Sequence, residues 1–203
     1  MKRVLFVAFL LSVAVSFATA QIPGFSIGPK VGYNSNRLVT NLDSVTSTPE
    51  GAFQIGAFMR FGQKVYFQPE VNYIVKGGII NDVLDGEDRS QEIELKSITI
   101  PLLLGVRPVS EGSFNIRLMA GPTLSYISEK HVKPLELLSS WPIHSTDDID
   151  KMLWSFQVGG GIDFWILTFD ARYEVGISNI YTGDENLKVR NNLFNVSVGV
   201  KFL

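Results

Sequence analysis

Residues 53–73 read Phe53-Gln54-Ile55-Gly56-Ala57-Phe58-Met59-Arg60-Phe61, then Gly62-Gln63-Lys64, then Val65-Tyr66-Phe67-Gln68-Pro69-Glu70-Val71-Asn72-Tyr73. Two runs of alternating apolar and polar residues flank a short break containing glycine, which is the pattern of a β-hairpin. Taking 62–64 as a three-residue loop predicts Phe61 opposite Val65, Met59 opposite Phe67, Ile55 opposite Val71 and Phe53 opposite Tyr73. Each of these pairs is apolar, and a one-residue slip would move the whole set to the other face. On the polar face, Gly56 falls opposite Glu70.

The same period runs through the rest of the chain. Strands are predicted near residues 25–34, 52–61, 65–76, 95–107, 114–126, 152–164, 167–178 and 192–203. Helical spacing fits none of them. The connections alternate in length: 35–51, 77–94, 127–151 and 179–191 are long, whereas 62–64, 109–113 and 165–166 are short. Long polar loops on one rim and tight turns on the other describe an up-and-down barrel of eight antiparallel strands. Registers by the same parity argument put Val106 opposite Ile116, Leu104 opposite Leu118, Ile162 opposite Phe169 and Val158 opposite Tyr173.

Those registers set small residues beside charges on the polar face: Gly105 opposite Arg117, Gly159 opposite Arg172 and Gly161 opposite Asp170. An eight-stranded barrel has an interior only wide enough for side chains, so a long charged residue needs a small neighbour. The polar face is therefore predicted to point inward. A soluble barrel of lipocalin type would invert this arrangement, with an outer face rich in Lys, Glu and Thr. Aromatic residues also flank the apolar face at both ends. Tyr33, Phe53, Tyr73, Tyr126 and Trp154 lie toward the long loops, and Phe25, Phe61, Phe67, Phe114, Phe164, Phe169 and Phe202 toward the short turns. Two aromatic girdles match the two interfaces of a bilayer. The fold class expected is an all-β, eight-stranded transmembrane β-barrel.

Residues 1–20 read as a targeting segment. Lys2 and Arg3 precede an apolar run, Val4 to Val15, and Ala18-Thr19-Ala20 supplies a small-residue cleavage pattern. The barrel domain is then 21–203. Removing those two cations from 18 basic residues leaves 16 against 20 acidic ones, a net charge of −4. No basic cluster with interleaved aromatics points to nucleic acid. The chain has no cysteine, which excludes disulfides, thiolate metal sites, a cysteine nucleophile and a lipidated cysteine. Four prolines, Pro29, Pro69, Pro101 and Pro122, fall inside predicted strands, where bulges are expected. A parity change between Leu95 and Ile98 places a further bulge near Lys96-Ser97. Trp165-Ile166 lacks the Gly or Asn that a two-residue hairpin prefers.

Several segments resemble the PorT-like group of small outer-membrane β-barrel proteins of Bacteroidetes-type bacteria. They are Gly28-Pro29-Lys30-Val31-Gly32, residues 67–73, Ile98-Thr99-Ile100-Pro101-Leu102-Leu103-Leu104, Ala120-Gly121-Pro122 and the closing Val200-Lys201-Phe202-Leu203. The resemblance covers essentially the whole chain after residue 20. It implies an OmpA/OmpX-sized barrel in the outer membrane, prolines at similar places, and an accessory role in a protein-secretion or envelope assembly. An even strand count puts both termini on the periplasmic side. Expected partners are outer-membrane lipid and lipopolysaccharide, the barrel-assembly machinery through the last strand, and envelope or secretion proteins. No cofactor is expected.

Chemistry-bearing residues are few. His131 and His144 are the only histidines. His144-Ser145 near Asp147 and Asp148 could be drawn as a lipid-hydrolase or acyltransferase site. The plainer reading is preferred, two polar residues in a solvated loop, because no strand holds the parts in register. Asp147, Asp148 and Asp150 lack the glycine and glutamate placement of a calcium loop, so no metal site is expected. Eleven charged residues take the inward parity: Lys30, Arg60, Glu70, Lys76, Arg107, Arg117, Asp163, Asp170, Arg172, Glu174 and Lys201. In a water-poor interior they should pair with one another, giving a polar plug rather than a pore. Leu135, Leu137, Leu138, Trp141 and Ile143 form an apolar cluster in the third long loop, available to a partner or folded over the barrel mouth.

Overall fold

A computed structural model describes residues 24–40, 46–48, 50–84, 87–132, 150–180 and 189–202. The segment 1–20, read above as a targeting signal, lies outside the described residues. The strands are β1 (Ser26–Thr40), β2 (Thr46–Thr48), β3 (Glu50–Arg60), β4 (Val65–Leu84), β5 (Glu87–Glu111), β6 (Phe114–Val132), β7 (Met152–Phe164), β8 (Leu167–Gly176) and β9 (Val189–Val200). β2 and β3 both pair with β4 and together form one stave. The eight staves close antiparallel, because β1 pairs with both β3 and β9 and β4 pairs with β5. Phe202 completes the seam by exchanging two backbone hydrogen bonds with Ile27, at 3.1 and 2.7 Å. Closure gives every stave two neighbours, which a bilayer demands of any β-structure that crosses it.

The alternation falls as expected. Along β8 the odd residues Leu167 to Val175 are exposed and the even residues Thr168 to Gly176 are buried. The outer surface is apolar, with Phe53 at 79 % and Leu104 at 64 % exposure. Both aromatic girdles lie on it. Tyr33 and Phe53 are partners across β1 and β3, with their rings edge-on at 5.4 Å. Phe25 stacks at 5.2 Å on Phe61 at the opposite rim. The interior is less uniformly polar than expected, because Phe58, Tyr66, Ile74, Leu95, Leu103, Met119 and Leu193 are also buried there.

The register of β7 with β8 is the predicted one, including Gly159 with Arg172 and Gly161 with Asp170. Two other hairpins are shifted by two residues. Ile55 pairs with Tyr73 rather than Val71, and Gly56 with Asn72 rather than Glu70. The cause is the turn. Phe61 pairs with Phe67, Gly62 takes a positive φ of 112°, and Val65 and Tyr66 already pair with Val106 and Gly105 of β5. In β5 and β6, Val106 pairs with Leu118 and Leu104 with Ala120, because Gly112-Ser113 makes a tight turn and a bulge between Val106 and Val109 takes up the extra residue. A shift of two leaves every side chain on its face, so parity cannot detect it.

The prolines do not sit at bulges. Pro29 lies in unbroken register with Ala57 and Pro122 with Phe156, although on its β5 side Pro122 falls inside a gap in the pairing. Pro69 and Pro101 instead border gaps, where β4–β5 skips from Pro69–Leu102 to Asn72–Thr99 and β5–β6 skips from Pro101–Thr123 to Leu104–Ala120. Omitting a few pairs accommodates the missing N–H donor without displacing either strand. The bulge expected near Lys96-Ser97 is present. The Trp165-Ile166 turn is also real: Trp165 adopts φ 54°, and the turn is tied to its neighbours by Trp165 N–H to Ser113 O at 2.9 Å and Lys201 N–H to Ile166 O at 2.7 Å.

The long-loop side differs most from expectation. The segment 77–94 continues β4 and β5 from Lys76–Leu95 as far as Leu84–Glu87. β2 borders this hairpin through Thr46–Asn81, and β6 through Ile93–Val132. At a strand rise of about 3.3 Å per residue, the hairpin reaches about 26 Å past Lys76.

Candidate functional site: the interior ion-pair network

Consecutive inward positions of β8, Thr168, Asp170, Arg172 and Glu174, present a hydroxyl and three charges in one column. β4 presents Gln68, Glu70, Asn72 and Lys76 in the same way. The closed strand order places β4 and β8 four staves apart in a ring of eight, on opposite walls. Side chains from these columns meet across the interior. Arg172 Nη1 and Nη2 donate to Glu70 Oε2 and Oε1 at 2.9 and 2.7 Å, a bidentate pair spanning the barrel. Lys76 Nζ reaches Glu174 Oε1 along the same diameter. A third strut joins β3 to β7, also four staves apart, with Arg60 Nη1 donating to Asp163 Oδ2 at 3.0 Å.

Lateral contacts tie the struts together. Lys30 Nζ donates to Glu70 at 2.8 Å, and Arg172 Nη2 also bonds Asp170 at 2.6 Å. Arg117 contacts Asp170 at 2.6 Å and Asp163 at 3.0 Å. Arg60 Nε donates to Gln68 Oε1 at 2.7 Å, and Gln68 Nε2 donates to Glu70 at 2.6 Å. The path Glu70–Arg172–Asp170–Arg117–Asp163–Arg60–Gln68 thus returns to Glu70. Above it, Glu174 accepts from Ser155 Oγ and Gln157 Nε2, both at 2.7 Å, and Lys76 donates to Ser125 Oγ at 3.0 Å. Lys201 stands at the short-turn mouth, 3.9 Å from Asp163.

Glycine placement follows the physical rule through partners that the predicted registers missed. Lys30 is flanked by Gly56 and Gly199, and Arg117 lies opposite Gly161. A Cβ on Gly161 would fall on Asp170 Oδ1 and the Arg117 guanidinium. Gly105 makes room instead for Tyr66, whose ring a Cβ there would overlap. Of the eleven charged residues expected to face inward, ten carry ion pairs in it, namely Lys30, Arg60, Glu70, Lys76, Arg117, Asp163, Asp170, Arg172, Glu174 and Lys201, whereas Arg107 forms none among the described residues. The residues that sequence reasoning left out are the neutral ones, chiefly Gln68, Asn72, Ser125, Ser155, Gln157 and Thr168. Their signal was partial: Gln68, Asn72 and Thr168 lie two residues from a network charge on their own strand and Gln157 pairs with Glu174, whereas Ser125 and Ser155 share only the inward parity.

This arrangement holds the walls together and fills the space between them. Glu70, Gln68 and Arg117 are no more than 2 % exposed, so water does not reach them. Buried charges in such a setting are tolerated only when fully paired. Among the described residues no group of three His, Asp or Glu side chains converges as a metal site would require. His131 lies in β6 with its backbone opposite Glu94, but its side chain, His144 and Ser145 are outside the described residues. So are Leu135, Leu137, Leu138, Trp141 and Ile143.

Comparison with known proteins agrees with this architecture. A family model described as the outer membrane protein beta-barrel domain matches residues 19–182. The fold is similar to the crystal structure of the outer membrane protein OprG from Pseudomonas aeruginosa, with TM-score 0.54 and 12% identity over 88% of this chain and 95% of that one. It is also similar to Neisserial surface protein A, with TM-score 0.47 and 13% identity over 88% of this chain and 97% of that one. An identity of 12% lets the OprG likeness speak to fold alone. No curated protein matches the chain. With a closed barrel, an apolar outer wall and a family model spanning most of its length, this chain belongs to the outer membrane protein beta-barrel domain family and is an integral outer-membrane barrel.

Proposed function

We propose that the protein is a non-enzymatic, non-conducting scaffold that holds strand-built and looped segments above the outer-membrane surface for a partner. The observation that carries this reading is the β4–β5 hairpin, which continues in register from Lys76–Leu95 to Leu84–Glu87 above an interior closed by ion pairs. A strand pair that merely returned the chain would turn at the rim, whereas this one extends about 26 Å further with β2 and β6 along its sides. The PorT-like resemblance supports a place in a secretion or envelope assembly. With all short turns and both ends of the barrel on one rim, that rim is the periplasmic one in this reading, preceded by a cleaved targeting segment. The last strand serves recognition by the barrel-assembly machinery, and the outer wall meets lipid and lipopolysaccharide.

The test is cross-linked affinity purification of the tagged protein from outer membranes, alongside variants shortened in one segment each. One replaces residues 79–92 by a two-residue turn, and another replaces 135–143 by a polar linker. A defined set of envelope proteins recovered with the full chain and lost with a shortened one supports the scaffold reading. Identical recovery from all three refutes it, provided each variant still shows the gel shift on boiling expected of a folded barrel.

A further inference from the structure

The interior charges do not balance, and the short-turn end is the more cationic. Among the described residues, seven cations, Lys30, Arg60, Lys76, Arg107, Arg117, Arg172 and Lys201, face four carboxylates, Glu70, Asp163, Asp170 and Glu174. Counting each carboxylate once, Lys76 is matched by Glu174, and Lys30 and Arg172 by Glu70 and Asp170. The surplus of three positive charges then falls among Arg60, Arg107, Arg117 and Lys201, of which Arg60, Arg117 and Lys201 contact Asp163 and Arg107 lines the same mouth.

That mouth contains a cavity of about 140 Å³ lined by Ser26, Arg60, Arg107, Asn115, Asp163 and Lys201. Arg60 is 1 % exposed, yet its Nη2 makes no hydrogen bond, and Arg107 Nε is likewise buried without a partner. Both guanidinium carbons lie 5.3 Å from the centroid of the Tyr66 ring, which fixes them over the same aromatic support. An unpaired, buried guanidinium N–H costs free energy unless an acceptor reaches it. Among the described residues the carboxylate lining this mouth is Asp163: its Oδ2 accepts from Arg60, its Oδ1 makes no hydrogen bond, and its single charge faces Arg60, Arg117 and Lys201.

We propose that this mouth binds a phosphate-type oxyanion, held by Arg60 Nη2, Arg107 and Lys201. The planar guanidinium forks suit two oxygens of such an anion, and the ammonium supplies a point charge. At about 30 Å³ per water, the cavity has room for one tetrahedral oxyanion with accompanying water. The anion could be free phosphate or the headgroup of a lipid in the adjoining leaflet, and the site is independent of what the opposite rim presents.

The experiment uses the full chain folded in an uncharged, phosphate-free detergent. Thermal midpoints are compared in inorganic phosphate and in chloride at matched pH and ionic strength, with the ³¹P line width of phosphate as a second readout. Phosphate should raise the midpoint and broaden its resonance. The Arg107→Gln/Lys201→Gln double variant, whose side chains lie outside the cross-barrel struts, should fold and bind at least about tenfold more weakly. If that variant shows no gel shift on boiling, Lys201→Gln alone serves. Equal midpoints in phosphate and chloride, or an undiminished phosphate response in the variant, would overturn the proposal. Repeating the titration in phosphatidylglycerol nanodiscs separates the sources. Loss of the response to added phosphate there identifies a lipid headgroup as occupant, and its persistence identifies the free anion; both support the site.

Discussion

Glu70→Gln is the substitution that removes the most interior hydrogen bonding through a single side chain. The Glu70 carboxylate accepts from Arg172 at 2.9 and 2.7 Å, from Lys30 at 2.8 Å, from Gln68 at 2.6 Å and from Asn72 at 3.1 Å. Glutamine keeps the shape but turns one acceptor oxygen into a donor facing N–H groups. At least two charge-assisted bonds are lost, at about 1.5–3 kcal/mol each. Lys30 and Arg172 are then left with Asp170 as their nearby carboxylate. Breaking a buried pair by removing one partner costs about 3–5 kcal/mol, in agreement with that sum. For a urea dependence of about 2 kcal/mol per molar, the unfolding midpoint should drop by about 2 M. The assay is reversible urea unfolding of protein folded into lipid vesicles, followed by Trp fluorescence. Two comparisons make the result specific. Adding Lys30→Met to Glu70→Gln removes one stranded cation and should recover at least about 1 kcal/mol, a coupling that independent sites would not show. Glu129→Gln breaks the exposed pair with Lys96, 2.8 Å apart at the rim, and should change stability by less than about 0.5 kcal/mol. A loss below about 1 kcal/mol for Glu70→Gln, or full additivity with Lys30→Met, would refute the view that the struts act as one network.

Three further outcomes follow from the same geometry. Gly161→Ala should destabilise the folded barrel by about 1–3 kcal/mol in the same urea assay, because its methyl would displace Asp170 and Arg117 from their contact. Val158→Arg, on the lipid face midway along β7 between the girdle residues Trp154 and Phe164, should cost about 2–4 kcal/mol in vesicles and much less in detergent, where water lies closer. His144→Ala should leave lipid A and phospholipid profiles of the outer membrane unchanged by mass spectrometry, and an altered acyl pattern would reopen the loop-borne enzyme.

Faces were readable from the sequence because the side-chain period of a strand is two and a membrane barrel puts opposite chemistry on its two sides. The charges of the network were readable for the same reason. Register was not, wherever a turn admitted two residues more or fewer. Met59–Phe67 and Phe61–Phe67 are equally apolar pairs, and the positive φ of Gly62 and the early pairing of Val65 with β5 decided between them. β7 and β8 escaped this ambiguity because two residues are the shortest hairpin loop, even with Trp165 in the left-handed region. Residues 77–94 read as a loop because Gly77-Gly78 and the acidic residues that follow suggest solvent. Strand pairing beyond a membrane needs no apolar outer face, so polarity there marks the edge of the bilayer and not the end of the strand. The cross-barrel struts depend on which staves oppose one another, which emerges only from closure.

The most direct test of the whole account is the side of the wall each residue faces. The chain has no cysteine, so single cysteines can be introduced and spin-labelled without background. Labels at Leu118, Val196 and Val198 in lipid vesicles should be strongly relaxed by oxygen, which concentrates in the bilayer, and shielded from a polar nickel relaxer. Labels at Thr123 and Ser197, one residue out of phase, should be shielded from both. High nickel accessibility at Thr123 and Ser197 would mean a water-filled pore, and oxygen accessibility at those two positions in place of the first three would mean that the barrel is inside out.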